Sequence, residues 1–146
     1  MIHAQNEYKY HAIPPQAVGT DAVTGVIDTR GYDYATVDVQ LAAAATSVSV
    51  SALAISEGDT TSAYTAITSL TGGTDSGNFT LPTADGTDST GQVLRFEIDC
   101  RKRKRYLKVS LTNSASRVSA ATATGHRIKD VPVGATQRGL ETLVQV

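Results

Sequence analysis

The chain has 146 residues, enough for one domain that buries about two-thirds of its unfolded surface and needs no staples. A single cysteine, Cys100, excludes an intrachain disulfide and the multi-cysteine zinc patterns. The formal net charge of −1 excludes a domain that is basic as a whole. Thr occurs 20 times, Ser 12 and Gly 12, a mixture that favours pleated strands joined by turns.

Met1–Glu7 has no apolar h-region, so no secretory signal is expected. Residues 1–22 carry Pro14-Pro15 and little apolar pattern beyond 8–13, and are read as an N-terminal arm. Alternation then begins. Residues 23–28 read as a strand, and 34–41 place Val37, Val39 and Leu41 on one face, with Thr36, Asp38 and Gln40 on the other. Ala42–Ala45 could form a short helical turn but is too short to hold a helix alone. The uncharged stretch from Val39 to Ser56 is too polar and slightly too short to span a bilayer. Strands follow at 48–55, 63–70 and 78–81. Residues 92–100 set Leu94, Phe96, Ile98 and Cys100 against Arg95, Glu97 and Asp99, and 106–112 set Leu107, Val109 and Leu111 against Lys108 and Ser110. Further candidates lie at 118–124, 126–131 and 140–146. Turn signals at Arg30-Gly31, Gly58, Gly72-Gly73, Gly86 and Gly125 separate most of them. Residues 132–146, with Pro132, Gly134 and Gly139, read as a C-terminal arm. The expected fold is therefore all-β: an antiparallel β-sandwich over 23–131, jelly-roll-like, with arms at both ends. Its expected core is Val37, Val39, Leu41, Leu53, Ile55, Leu94, Phe96, Ile98, Leu107, Val109 and Leu111.

No catalytic constellation emerges. His3, His11 and His126 are scattered without metal-ligand spacing, and Cys100 closes an apolar strand face, as a buried inert thiol does. There is no nucleophile elbow, P-loop or dinucleotide fingerprint. Asp85/Asp88 and Glu57/Asp59 sit in Gly-containing turns, where Asp hydrogen-bonds its own backbone; a calcium ion at Asp85 and Asp88 is conceivable, but the spacing is not that of an EF-hand. No enzyme activity, metal or cofactor is expected.

Charge is the most informative feature. Residues 1–94 carry two basic and ten acidic side chains, a net of −8, and residues 95–146 carry eleven basic and four acidic, a net of +7. Five of the basic residues form one run, Arg101, Lys102, Arg103, Lys104 and Arg105. Apolar parity changes from even to odd across it, as a turn or bulge produces, so one reading is a solvated hairpin tip or charged edge. A second is a docking patch for an acidic protein surface. A third is nucleic-acid binding, against which stand the overall charge and the absence of aromatics other than Tyr106 beside the run.

The segment from Phe96 to Val109, with Gly31–Val39 and Leu53–Asp59, resembles small tailed-bacteriophage structural proteins. The resemblance covers residues 23–112 and rests on a pattern of early strands, a polar excursion and a basic return strand, not on a signature motif. It implies a virion component on the capsid surface, made in the host cytoplasm. Within that class it implies a head decoration (cement) protein whose partner is the major capsid protein, and it brings no functional residues with it. The charge split suggests one acidic and one basic face and hence head-to-tail self-association that must close. The resemblance makes that closure a homotrimer, with arms adding strands to neighbours. The other class is a non-catalytic binding module, such as a carbohydrate-binding or tail-associated adhesin sandwich. It would need exposed aromatics on one face, and the chain has no Trp and six Tyr that are dispersed except for Tyr8/Tyr10 and Tyr32/Tyr34.

Overall fold

The structure, a computed structural model, describes residues 7–44, 48–73, 75–82 and 91–126. Eight strands follow in order: β1 (Glu7–Val18), β2 (Val23–Asp28), β3 (Tyr34–Leu41), β4 (Val50–Gly58), β5 (Thr65–Thr71), β6 (Gln92–Asp99), β7 (Tyr106–Asn113) and β8 (Arg117–His126). They form two four-stranded antiparallel sheets, ordered β1-β8-β3-β6 and β2-β7-β4-β5, packed face to face as a β-sandwich. Four of the ladders pair β1 with β8, β2 with β7, β3 with β6 and β4 with β5. The chain is thus one long antiparallel ribbon, folded back at the β4–β5 turn, in which consecutive strands alternate between sheets except β4 and β5, which share one.

Alternation places the core. Val37, Val39, Leu41, Leu53, Ile55, Phe96, Ile98, Leu107, Val109 and Leu111 are buried between the sheets as expected, whereas Leu94 is only partly buried. Ala12, Ile13, Val18, Ile27, Ala35, Val50, Ile67, Cys100, Ala121 and Ala123 complete the cluster.

The N-terminal arm is corrected. Residues 7–18 are strand β1 of this chain's own sheet, and Ile13 and Val18 are fully buried. Pro14-Pro15 are tolerated because β1 is an edge strand and its register shifts between Ile13 and Gln16, where no ladder donor is required. Residues 78–81 form no named strand; Phe79 makes only a bridge to Gly72. Ala42–Ala44 are not helical. Residues 1–6, Ala45, Asp85/Asp88, 127–131 and the arm at 132–146 lie outside the described residues.

The two sides of the sandwich close differently. Where β1 passes over β2, the backbones touch: a Cβ on Gly25 would collide with the Ala12 carbonyl. On the far side, where β5 and β6 are the sheet edges, side chains fill the seam instead. Phe79 meets Phe96 at 5.2 Å and 67°, and Leu81 lies over Gly72.

Candidate functional site

The 101–105 run lies at one end of the sandwich, where the β2–β3, β4–β5 and β6–β7 turns meet the start of β1 and the end of β8. It is not a hairpin tip. β6 and β7 belong to different sheets, so the run carries the chain across the sandwich from one sheet to the other. The parity change on either side of it has the same cause.

The local geometry starts at Asp99. Its carboxylate accepts from the Arg101 backbone N–H at 3.1 Å and caps a single 3-10 turn over Cys100–Lys102, closed by Arg103 N–H donating to the Cys100 carbonyl at 3.1 Å. Both Asp99 oxygens also accept from the Arg101 guanidinium, at 2.9 and 2.8 Å. Those bonds hold the Asp99 carboxyl down at about 2. Cys100 turns inward, 7% exposed, and burial followed by the Asp99 and Asp33 charges pushes its thiol up to about 11.

The rest of the run is held by carboxylates from the first half of the chain. Arg103 reaches Glu57 at 3.7 Å, and the Lys104 backbone N–H donates to the same carboxylate at 3.2 Å. Lys104 Nζ lies 3.0 Å from Asp59. Arg105 grips Asp28 through two bonds of 3.0 and 2.7 Å, which lower the Asp28 pKa. Its carbonyl accepts from Thr29 N–H and Thr29 Oγ1, tying the β6–β7 crossing to the β2–β3 turn. Lys102 alone in the run makes no ion pair among the described residues, although its charge helps to hold the Asp99 carboxyl down. Glu57 and Asp59, expected to serve their own turn, serve these cations instead.

All six tyrosines gather at the same end. Tyr8, Tyr10 and Tyr32 form one cluster, with Tyr10 Oη donating to the Asp28 carbonyl at 3.1 Å. Burial, followed by the hydrogen bond to Tyr32, raises the Tyr10 pKa. Arg101 lies over Tyr34 at 4.9 Å, Arg105 over Tyr106 at 4.7 Å and Lys108 over Tyr64 at 4.6 Å. Sequence spacing hid this convergence, because the rings come from six separate positions on β1, β3, β7 and two turns.

Among the described residues, charge therefore does not segregate into two faces. Asp28–Arg105, Glu57–Arg103, Asp59–Lys104 and Asp38–Arg95 each join an acid of the first half to a base of the second. Among the described residues these pairs weaken the premise of head-to-tail attraction between oppositely charged faces.

A second polar group lies on the outer face of the β1-β8-β3-β6 sheet. Thr36 Oγ1 is 2.9 Å from His126 Nε2, and His126 Nδ1 is 3.6 Å from Glu7. Lys9 lies 3.7 Å from Glu7 and donates to Thr124 at 3.3 Å, and Arg95 pairs with Asp38 at 2.7 Å. The order hydroxyl, imidazole, carboxylate matches a nucleophile relay. Thr36, however, sits mid-strand between two paired neighbours, whose backbone is committed to ladders rather than free to form an oxyanion hole. The group acts as a cross-strand ladder on a wet face. His11 is exposed on β1, and His3 lies outside the described residues. Among the described residues no three His, Cys, Asp or Glu side chains are placed to hold a metal ion, and no helix is long and apolar enough to cross a membrane.

No protein-family model matches the chain, and no curated protein matches it.

Proposed function

We propose that this chain is a virion structural protein of the head-decoration kind, a non-catalytic sandwich that binds and stabilises a capsid lattice through its surface. The observation that carries the reading is the strand order. Sheets ordered β1-β8-β3-β6 and β2-β7-β4-β5 are what one eight-strand ribbon makes when it rolls into a jelly roll, an architecture that recurs in viral capsid and lectin domains. The lectin alternative gains little from the tyrosine cluster. Its rings lie at 48°, 41° and 88° to one another, not as a flat stacking platform.

The surface offered to the major capsid protein is the end bearing Arg101, Lys102, Arg103, Lys104 and Arg105. Arginine and tyrosine are the side chains enriched where interfaces concentrate their energy. The neighbouring carboxylates hold four of the five cations in place, and Lys102 is left to pair with an acid on the partner. Trimeric closure, for a threefold lattice point, is carried by the family resemblance alone.

The test is electron microscopy of shells assembled with and without this chain. Regularly spaced density for a two-sheet sandwich is expected, and Lys102→Glu should lower occupancy and flatten its salt dependence while Tm stays put. Shells identical in both preparations, with no co-sedimentation, would overturn the reading.

A further inference from the structure

We infer that Arg117 and the cavity beside it form a binding site for a small aliphatic carboxylate, with the Gln92 side chain as its gate. The site lies at the end of the sandwich away from residues 101–105, and it stands or falls independently of the assembly reading above.

Arg117 opens β8 and is only 4% exposed. Arginine keeps its proton when buried, so it needs a partner for its charge as well as acceptors for its five N–H groups. Among the described residues its hydrogen-bond partners are all neutral. Nε donates to the Ala42 carbonyl at 2.6 Å, and Nη1 donates to the Val48 carbonyl at 3.3 Å and to Gln92 Oε1 at 3.5 Å. Nη2 is buried and makes no hydrogen bond. A buried charge without a counter-charge is costly, and so is a buried donor without an acceptor. The bonding is also lopsided. One short bond holds the Nε side, whereas the edge formed by Nη1 and Nη2 has two long bonds on one nitrogen and none on the other. Such an edge is what a carboxylate grips with both oxygens.

A cavity of about 340 Å³ indicates what the carboxylate is attached to. It lies on the outer face of the β1-β8-β3-β6 sheet, where β3 ends and β6 and β8 begin. Pro15, Leu41, Val93, Val118 and Ala120 supply apolar walls, and no charged side chain among the described residues lines it. Val93 is 68% exposed and Val118 is 54% exposed, so a hydrocarbon chain laid over them removes apolar surface from water. Ala42 and Gln92 belong both to the cavity wall and to the Arg117 hydrogen-bond shell. The Gln92 bond is the longest of the three and that residue is only partly buried, so a swing of its side chain joins the Nη1–Nη2 edge to the cavity. A bare inorganic anion would leave the walls wet, and an uncharged chain would leave the guanidinium unpaired. The polar group around His126 makes no such demand, because its acids and bases already pair with one another.

The probe is hexanoate, added to the full-length protein. A ligand of that size can reach a Kd of about 1 mM, and about 10 mM should then raise Tm by about 4 °C, saturably. Acetate, hexanol and sodium chloride at equal ionic strength should raise it far less. Amide NMR shifts should centre on residues 41–42, 91–93 and 117–120. Arg117→Met keeps an apolar stem and removes the charge, so it should fold and lose the hexanoate response. If it does not fold, Val118→Asp decides: Arg117 remains, one wall is lost and a repelling charge is added, so affinity should fall at least about tenfold. Gln92→Ala removes the competing acceptor and should tighten binding; weaker binding there overturns the gate. The site itself is overturned if hexanoate leaves wild-type Tm unchanged, which is also the result expected if a carboxylate of the chain already occupies Arg117. It is equally overturned if hexanol acts as strongly as hexanoate, if the shifts centre on residues 101–105, or if Arg117→Met or Val118→Asp responds like the wild type.

Discussion

Replacing Phe96 with alanine tests the packing of the seam between β5 and β6. The ring is 9% exposed, pairs across the ladder with Val37 and meets Phe79 edge-to-face at 5.2 Å. Deleting a buried phenyl ring costs about 3–5 kcal/mol when the walls cannot collapse into the space. Of that, about 0.5–1.5 kcal/mol belongs to the contact between the two rings. For a domain of this size each kcal/mol lowers Tm by about 3–4 °C, so a drop of about 10–20 °C is expected in a thermal scan followed by circular dichroism. Phe79→Leu keeps most of the volume and loses the ring contact, a drop of about 2–6 °C. The double variant should fall short of the summed losses by the ring–ring energy, since the two side chains share it. A Phe96→Ala loss below about 1 kcal/mol, or strict additivity with Phe79→Leu, would refute a buried, ring-paired Phe96.

Three further outcomes are expected. Asp99 has a depressed folded pKa, so its pairing with Arg101 stabilises the fold fully above the unfolded carboxylate value of about 4 and is lost as pH falls toward about 2. Arg101→Gln should move the Asp99 titration, followed by NMR, back toward about 4, and a wild-type Asp99 already titrating there would contradict the capping geometry. Gly25→Ala drives a Cβ into the Ala12 carbonyl and should cost about 1–3 kcal/mol in urea denaturation, while Gly19→Ala, with nothing within 4 Å of the new carbon, should be near neutral. Cys100, buried and with its thiol raised to about 11, should react with a thiol reagent at about pH 8 only after denaturant is added; rapid labelling of the native protein would place it on the surface.

Much of the sandwich was legible strand by strand. The bounds of β2 and β3 follow from alternation ended by turn residues, and the parity change across residues 101–105 marked a turn, though not that the turn crosses between sheets. Period two, however, says which face a side chain takes and not which strand lies beside it. The pairing of β1 with β8 joins residues more than a hundred positions apart, and nothing local announces it. Pro14-Pro15 argued against a strand because a ladder normally needs their N–H groups. Only the position of β1 at a sheet edge, with its register shift, makes them harmless. The six tyrosines were invisible as a group for the same reason: the turns that gather them at one end are set by the order of the sheets.

The division of charge, −8 before residue 95 and +7 after it, was plain in the sequence, but its meaning depends on topology. If the two halves had folded as separate layers, they would have made two faces of opposite sign and a molecule inclined to stack. In a ribbon folded back at the β4–β5 turn, β1, β2, β3 and β4 of the acidic half are hydrogen-bonded to β8, β7, β6 and β7. Opposite charges in the two halves then become neighbours across ladders and turns: Asp38 beside Arg95, Asp28 beside Arg105, Glu57 beside Arg103 and Asp59 beside Lys104. The pairs are exposed and screened by solvent, so the gain in stability is small. The gain in specificity is larger, because slipping or swapping strands within either half would set like charges side by side. The same segregation that suggested an assembly driven by charge serves instead to fix the register of one chain.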